Sequence, residues 1–173
     1  MTDYFALLGE ARLPWLDPEE LKEKYFALSR TEVPNAELNE AFRVLSDPKR
    51  RLQHLLSLAG MDLSAGRPVP PAVAEVFWNT GTLLREVERW LLRQAGTTST
   101  LARALLQPER GKLEARLEEL EEKLRAMYDR ELLELRDLPN EPAAQLLERY
   151  DRVSYLTRLL EQIAQKRLQT SVA

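Results

Sequence analysis

Apolar positions along this chain recur every three or four residues for almost its whole length, a spacing that predicts helices and no strands. "DYFALLG" (3–9) is a short apolar piece ended by Gly9. "LDPEELKEKYFALSR" (16–30) opens with Asp17 as N-cap, Pro18 at the first helical position and Glu20 closing a capping box. Leu21, Tyr25 and Leu28 then fall at i, i+4 and i+7 and share one face. A third helix follows Pro34-Asn35, with Leu38, Ala41, Phe42 and Leu45 as its apolar stripe. Asp47-Pro48 stops it and caps a fourth helix, which runs to Ala59 with Gly60 just past its end.

A glycine and three prolines in "MDLSAGRPVPP" (61–71) mark a linker. Beyond it, a stretch from about 72 to 95 carries Val73, Val76, Phe77, Thr80, Leu83, Leu84, Val87, Trp90 and Leu91. "GTTST" and "QPERG" are expected to interrupt the pattern around a short apolar piece at Leu101–Leu106. Leu113, Leu117, Leu120, Leu124 and Met127 form a heptad seam, flanked by the i,i+4 pairs Glu119–Lys123 and Glu121–Arg125. The seam reads as the core of a bundle, with a homodimeric coiled coil as the alternative. "LPNEP" (138–142) breaks the chain before a last helix with Leu146, Leu147, Tyr150, Val153, Leu160, Ile163, Ala164 and Leu168. Short breaks between long helices predict antiparallel neighbours. The expected architecture is all-α: a helical hairpin with small flanking helices over 1–60, a linker over 61–71, and an antiparallel three-helix bundle over 72–169.

Composition removes several kinds of chemistry. With no cysteine, disulfides, thiolate catalysis and cysteine-ligated zinc or iron–sulfur centres are excluded. His54 is the only histidine, so neither a bound metal nor a cluster is expected, and no cofactor. It lies near the apolar side of its helix with no Ser, Cys or carboxylate partner signalled, which reads as a structural residue. A net charge of −3 offers no general attraction to nucleic acid or anionic lipid. The N-terminal residues lack the basic start and apolar run of a signal peptide, and no apolar stretch reaches membrane-spanning length, so the expected location is cytosolic, with no membrane partner. An enzyme would need a pocket of carboxylates with raised pKa values.

The order of pieces carries a resemblance. Tyr4-Phe5-Ala6-Leu7-Leu8-Gly9, the stretch Asn39 to Leu45, and Asp47-Pro48 through Arg51, Leu55-Leu56, Leu58 and Gly60 together resemble the HscB type of J-domain co-chaperone, which assists iron–sulfur cluster assembly. The resemblance implies a J-domain-like hairpin followed by a bundle. It also implies two partners, a DnaK/HscA-type chaperone ATPase and an iron–sulfur cluster scaffold protein. The basic helix that meets the ATPase would correspond to residues 18–30, with Lys22, Lys24 and Arg30 matching in kind. The family's His-Pro-Asp tripeptide maps onto Val33-Pro34-Asn35, where only the proline is kept. Val33 can neither donate a hydrogen bond nor carry charge, and Asn35 has no carboxylate, so stimulation of the ATPase is not expected. Read from the residues alone, Val33-Pro34-Asn35 is an ordinary turn with Asn35 capping the next helix. Lys22, Lys24 and Arg30, interspersed with Glu19, Glu20 and Glu23, equally suit a solvated face.

The resemblance places scaffold binding on the first and last bundle helices. Phe77 and Trp78 stand where an apolar patch is expected, and Tyr155 where an aromatic of the last helix is expected. Gly81 departs from the pattern at a position where a large apolar residue is expected. Phe77 fits the stripe of Val73, Thr80 and Leu84, which turns Trp78 outward, because successive helical residues are about 100° apart. The favoured reading is co-chaperone-like protein binding without enzymatic activity. The rival is a structural interaction or adaptor module, a degenerate J-protein with no chaperone partner.

Overall fold

The computed structural model describes residues 2–31, 36–63, 66–137 and 142–172. Every regular element among them is a helix: α1 (Tyr4–Leu7), α2 (Pro18–Thr31), α3 (Ala36–Ser46), α4 (Pro48–Leu58), α5 (Pro71–Gly96), α6 (Thr100–Asp137) and α7 (Ala143–Val172). The all-α expectation holds. The chain divides into two compact units, Met1–Pro68 with Arg130–Val153, and Val69–Asp129 with Ser154–Ala173. Both α6 and α7 therefore contribute to each unit.

In the first unit, helix ends are set by local chemistry. Asp17 accepts the amides of Glu19 and Glu20 at 2.9 and 3.2 Å, and Asp47 accepts that of Arg50 at 2.9 Å. Past α1, the amides of Gly9 and Glu10 donate to the carbonyls of Ala6 and Phe5. Past α4, those of Gly60 and Met61 donate to Ser57 and Leu56. Both closures need a left-handed residue at the first position beyond the cap, and Gly9 and Gly60 supply it at φ +65° and +76°. The core joins Phe5, Leu8, Leu16, Leu21, Leu38, Ala41 and Leu45. Tyr25 ties the α2–α3 hairpin together, its hydroxyl donating to Asn39 at 2.8 Å and its ring stacking on Phe42 at 4.3 Å.

Two buried polar residues of α4 complete this unit. Arg51 is only 4% exposed, and it donates from Nε to the carbonyl of Pro14 at 2.9 Å and from Nη1 to that of Leu45 at 2.7 Å. It thereby pins the segment between α1 and α2 to the end of α3. His54, 7% exposed, accepts the Tyr4 amide on Nε2 at 3.1 Å and stacks on the rings of Tyr4 and Phe5. The first amides of α1 are thus all satisfied, Tyr4 by His54 and Phe5 and Ala6 by Asp3. Burial holds the His54 imidazole below its ordinary value of 6.5; Asp3 pulls it upward and Arg12 adds to the depression. Elsewhere in the unit, the buried Arg149 of α7 lies 3.4 Å from Glu131 and 2.7 Å from Glu134 of α6. Arg67, before α5, meets both carboxylate oxygens of Asp151 at 2.6 and 2.7 Å.

The second unit is an antiparallel three-helix bundle. Val73, Val76, Leu83, Val87 and Trp90 of α5 meet Leu113, Leu117 and Leu124 of α6 and Leu156, Leu159 and Ile163 of α7 in one core. Ion pairs report the direction of each helix. Glu75, Glu86 and Arg93 of α5 pair with Lys123, Arg116 and Glu109 of α6, in descending order, so these helices run oppositely. Phe77 meets Tyr155 and Glu88 meets Lys166 at the same offset of 78 residues, so α5 and α7 run in parallel. Among the described residues, no helix is long and apolar enough to cross a membrane.

The expected break at "QPERG" is absent: α6 continues through Pro108 as one helix. An interior proline removes one hydrogen bond and crowds the preceding turn, at about 3 kcal/mol. Contacts with α5 hold the turns around it. The Trp90 indole donates to the Leu106 carbonyl at 3.3 Å, Arg103 donates to Thr97 at 2.8 Å, and Arg93 pairs with Glu109. Lys123, expected to pair with Glu119, reaches across to Glu75, whereas Arg125 pairs with Glu121 as expected. Ala164 and Leu168, expected on the apolar stripe of α7, are exposed, and Leu156 and Leu159 are buried instead.

Two expected outcomes follow from the buried polar residues. Arg51→Met should cost about 2–4 kcal/mol of folding stability, since two buried carbonyls lose a charged donor. Arg50→Met, on the exposed side, should stay within about 0.5 kcal/mol; urea melts of both variants check the contrast. For His54, the folded state favours the neutral imidazole while the unfolded chain titrates near 6.5. Its contribution is therefore complete above that pH, declines as pH falls below it, and levels off beneath the folded-state value. His54→Gln keeps an acceptor without a titrating proton. It should flatten that part of the stability profile, measured by denaturant melts from pH 7 down to about 5.

Candidate partner-binding surface

The core stripe of α5 decides which of its residues face solvent. Val73, Val76, Thr80, Leu83 and Val87 point inward, so Trp78 points outward and is 67% exposed. Phe77 is half-buried against the bundle core. Its ring meets Trp78 edge to face at 5.6 Å and Tyr155 edge to face at 6.1 Å. The Arg158 guanidinium lies over the Tyr155 ring, 5.0 Å from its centre. The structure therefore brings Trp78, Phe77 and Tyr155 into one aromatic row across α5 and α7.

Gly81 sits one turn along α5 from Phe77 and Trp78. A Cβ there would meet only the Arg85 guanidinium, at 3.8 Å. Arg85 folds back along the helix and donates to Thr82 Oγ1 at 3.2 Å. Where the resemblance leads one to expect a large apolar side chain at 81, a guanidinium lies alongside the glycine.

The basic residues of α2 are dispersed. Lys22 is exposed, 3.7 Å from Glu19, and Lys24 is 3.0 Å from Glu10. Arg30 is exposed in the last turn. Val33, Pro34 and Asn35 lie outside the described residues. Phe26, not singled out by the stripe pattern, is 49% exposed on the outer side of α2. Arg85 and Arg89 also lie off the apolar stripe, and Trp78, Thr82, Arg85 and Arg89 follow alternating spacings of four, three and four.

Among the described residues, no group of three or more His, Cys, Asp or Glu is placed to hold a metal ion. Glu40, Glu86, Glu121 and Glu134 are held below the usual carboxylate range by hydrogen bonds from Arg43, Arg116, Arg167 and Arg149 respectively. That direction is opposite to the one a general acid needs.

The class of molecule is defined by this arrangement: an all-α chain with a J-domain-like hairpin, a following three-helix bundle and, on the bundle, an aromatic row in which Trp78 is the exposed member. Among solved structures it is similar to the chaperone HscB from Vibrio cholerae, at 21% identity over 98% of this chain and 96% of that one, with a TM-score of 0.54. At that identity the likeness is one of fold. No family model matches the chain, and no curated protein matches it.

Exposure and packing predict different outcomes along the aromatic row. Trp78→Ala should change stability by no more than about 0.5 kcal/mol. Gly81→Ala should raise stability by about 1 kcal/mol, because alanine is the better helix former and its methyl group meets only ordinary contact. Thermal melts of the two variants check both values.

Proposed function

We propose that this chain is a co-chaperone-like protein-binding module of the HscB kind. In this reading it acts in iron–sulfur cluster assembly and holds the cluster scaffold protein on the surface around Trp78, with Phe77, Gly81 and Tyr155. It has no enzymatic activity and no cofactor of its own, and works in the cytoplasm. The observation that carries the proposal is the exposed Trp78 standing edge to face with Phe77, which in turn meets Tyr155. The likeness to chaperone HscB over nearly the whole of both chains supports the reading. An exposed tryptophan backed by half-buried rings has the character of an interface anchor.

The chaperone-facing half is proposed to have lost its activating role. Val33 and Asn35 lack the donor and the charge of the family tripeptide. Lys22 and Lys24 are engaged with Glu19 and Glu10. These observations favour a second reading for α2 and α3, a structural adaptor with no chaperone partner.

Trp78→Ala should weaken binding of the host's cluster scaffold protein roughly thirtyfold, a loss of about 2 kcal/mol. Calorimetric titration of the unmodified chain and of Trp78→Ala reads this directly; unchanged affinity rejects the surface. Single-turnover ATP hydrolysis by the host's DnaK-type chaperone should show no acceleration when this protein is added. A saturable, several-fold acceleration would restore the co-chaperone role to residues 22 to 35.

A further inference from the structure

The exposed face of α5 holds more than the aromatic row. Trp78, Thr82, Arg85, Arg89 and Leu92 are all exposed and fall within one narrow arc of the helix, over about 20 Å of its length. The carboxylates of α5 are all engaged elsewhere: Glu75 with Lys123, Glu86 with Arg116 and Glu88 with Lys166. Arg93 is engaged with Glu109. Among the described residues Arg85 and Arg89 form no salt bridge, although the charge of Arg89 is felt by the Glu86 carboxylate, whose hydrogen-bonded partner is Arg116. Arg85 donates to Thr82, and Arg89 to the backbone carbonyl of Arg85. Both line a shallow groove with Leu84 and Glu88. Arg158, over Tyr155 on α7, is exposed and adds a third cation at the aromatic end of the face. Gly81 leaves the space beside the Arg85 guanidinium open, 3.8 Å from where a Cβ would stand.

We infer that this face takes an acidic protein segment. An apolar side chain of the partner packs on Trp78, and carboxylates of the partner meet Arg85, Arg89 and Arg158. The inference rests on the proposed reading of the Trp78 surface and gives its partner a chemistry. Charge complementarity carries it: three exposed guanidinium groups flank an aromatic anchor, and the chain's own neighbouring carboxylates are committed to other partners. A protein is favoured over nucleic acid because the whole chain carries a net charge of −3 and the cations form an isolated cluster of three rather than a track.

The test uses the full chain and three fluorescent probes. The first is an amphipathic helical peptide with leucine on one face and glutamate flanks, the second is the same peptide with lysine flanks, and the third is a single-stranded oligothymidylate. Anisotropy titrations are run at low and high salt. The glutamate peptide should bind at least about tenfold tighter than the lysine peptide and weaken with salt. The variant carrying Arg85→Glu and Arg89→Glu should reverse that preference with an unchanged melting temperature, both sites being exposed. Equal affinity for the two peptides, no binding of the glutamate peptide, an unreversed preference in the variant, or tighter binding of the oligonucleotide would each overturn the inference.

The host's scaffold protein, titrated against the same variants, separates this inference from the reading beneath it. Loss of scaffold binding in Trp78→Ala but not in the double arginine variant keeps the scaffold reading and rejects the acidic partner. No scaffold binding by the unmodified chain, with arginine-dependent binding of the glutamate peptide, rejects the scaffold reading and keeps the acidic partner.

Discussion

Burial of the apolar stripe of α5 is the constraint on which the second unit depends. Val73, Val76, Leu83, Val87 and Trp90 are all but inaccessible to solvent, and their removal from water supplies the driving force for the bundle. The same burial fixes the rotation of α5 about its axis. Once that stripe faces α6 and α7, the geometry of 3.6 residues per turn leaves Trp78, Arg85 and Arg89 no other direction than outward. The surface proposed to bind a partner is thus a consequence of the core, held in place by residues that never touch the partner.

The charges act on a different level. Pairs such as Lys123–Glu75 are exposed, and each contributes little stability. Their order along the helices nonetheless matches one direction and one register for α5, α6 and α7. Glu121 lies between Arg125 of its own helix and Arg167 of α7. With Glu75, Glu86 and Glu88 of α5 each paired across to α6 or α7, Arg85 and Arg89 stay on the outer face with no salt bridge among the described residues.

In the first unit, α1 to α4 are short and an irregular segment runs between α1 and α2, so backbone groups need partners that secondary structure does not provide. Arg51 and His54, both on α4, supply them. Arg51 reaches two carbonyls, and His54 serves as acceptor for a helix of a single turn. A lone histidine in this chain is therefore an architectural residue, and its neutral form is the one the fold uses.

What the sequence by itself determined is local. Helix starts at Asp17 and Asp47, stops at Gly9 and Gly60, and the inward stripes of α3 and α5 were legible because caps and 3.6-residue periodicity act within a few residues. The outward position of Trp78 followed from the same periodicity. Tertiary structure decided what depends on distant partners. Pro108 sits inside α6 although local rules end a helix there, because Trp90, Arg93 and Thr97 of the α5 end hold the flanking turns. Leu156 and Leu159, not Leu168, face the core, because the rotation of α7 is set by what α5 and α6 present to it. Lys123 meets Glu75 of α5 rather than Glu119, four residues away along its own helix. The role of Arg51 and the outward placing of Arg85 and Arg89 clear of the helix-to-helix ion pairs were equally hidden, since whether a charge is engaged is a property of neighbours that sequence separates by tens of residues and only folding brings together.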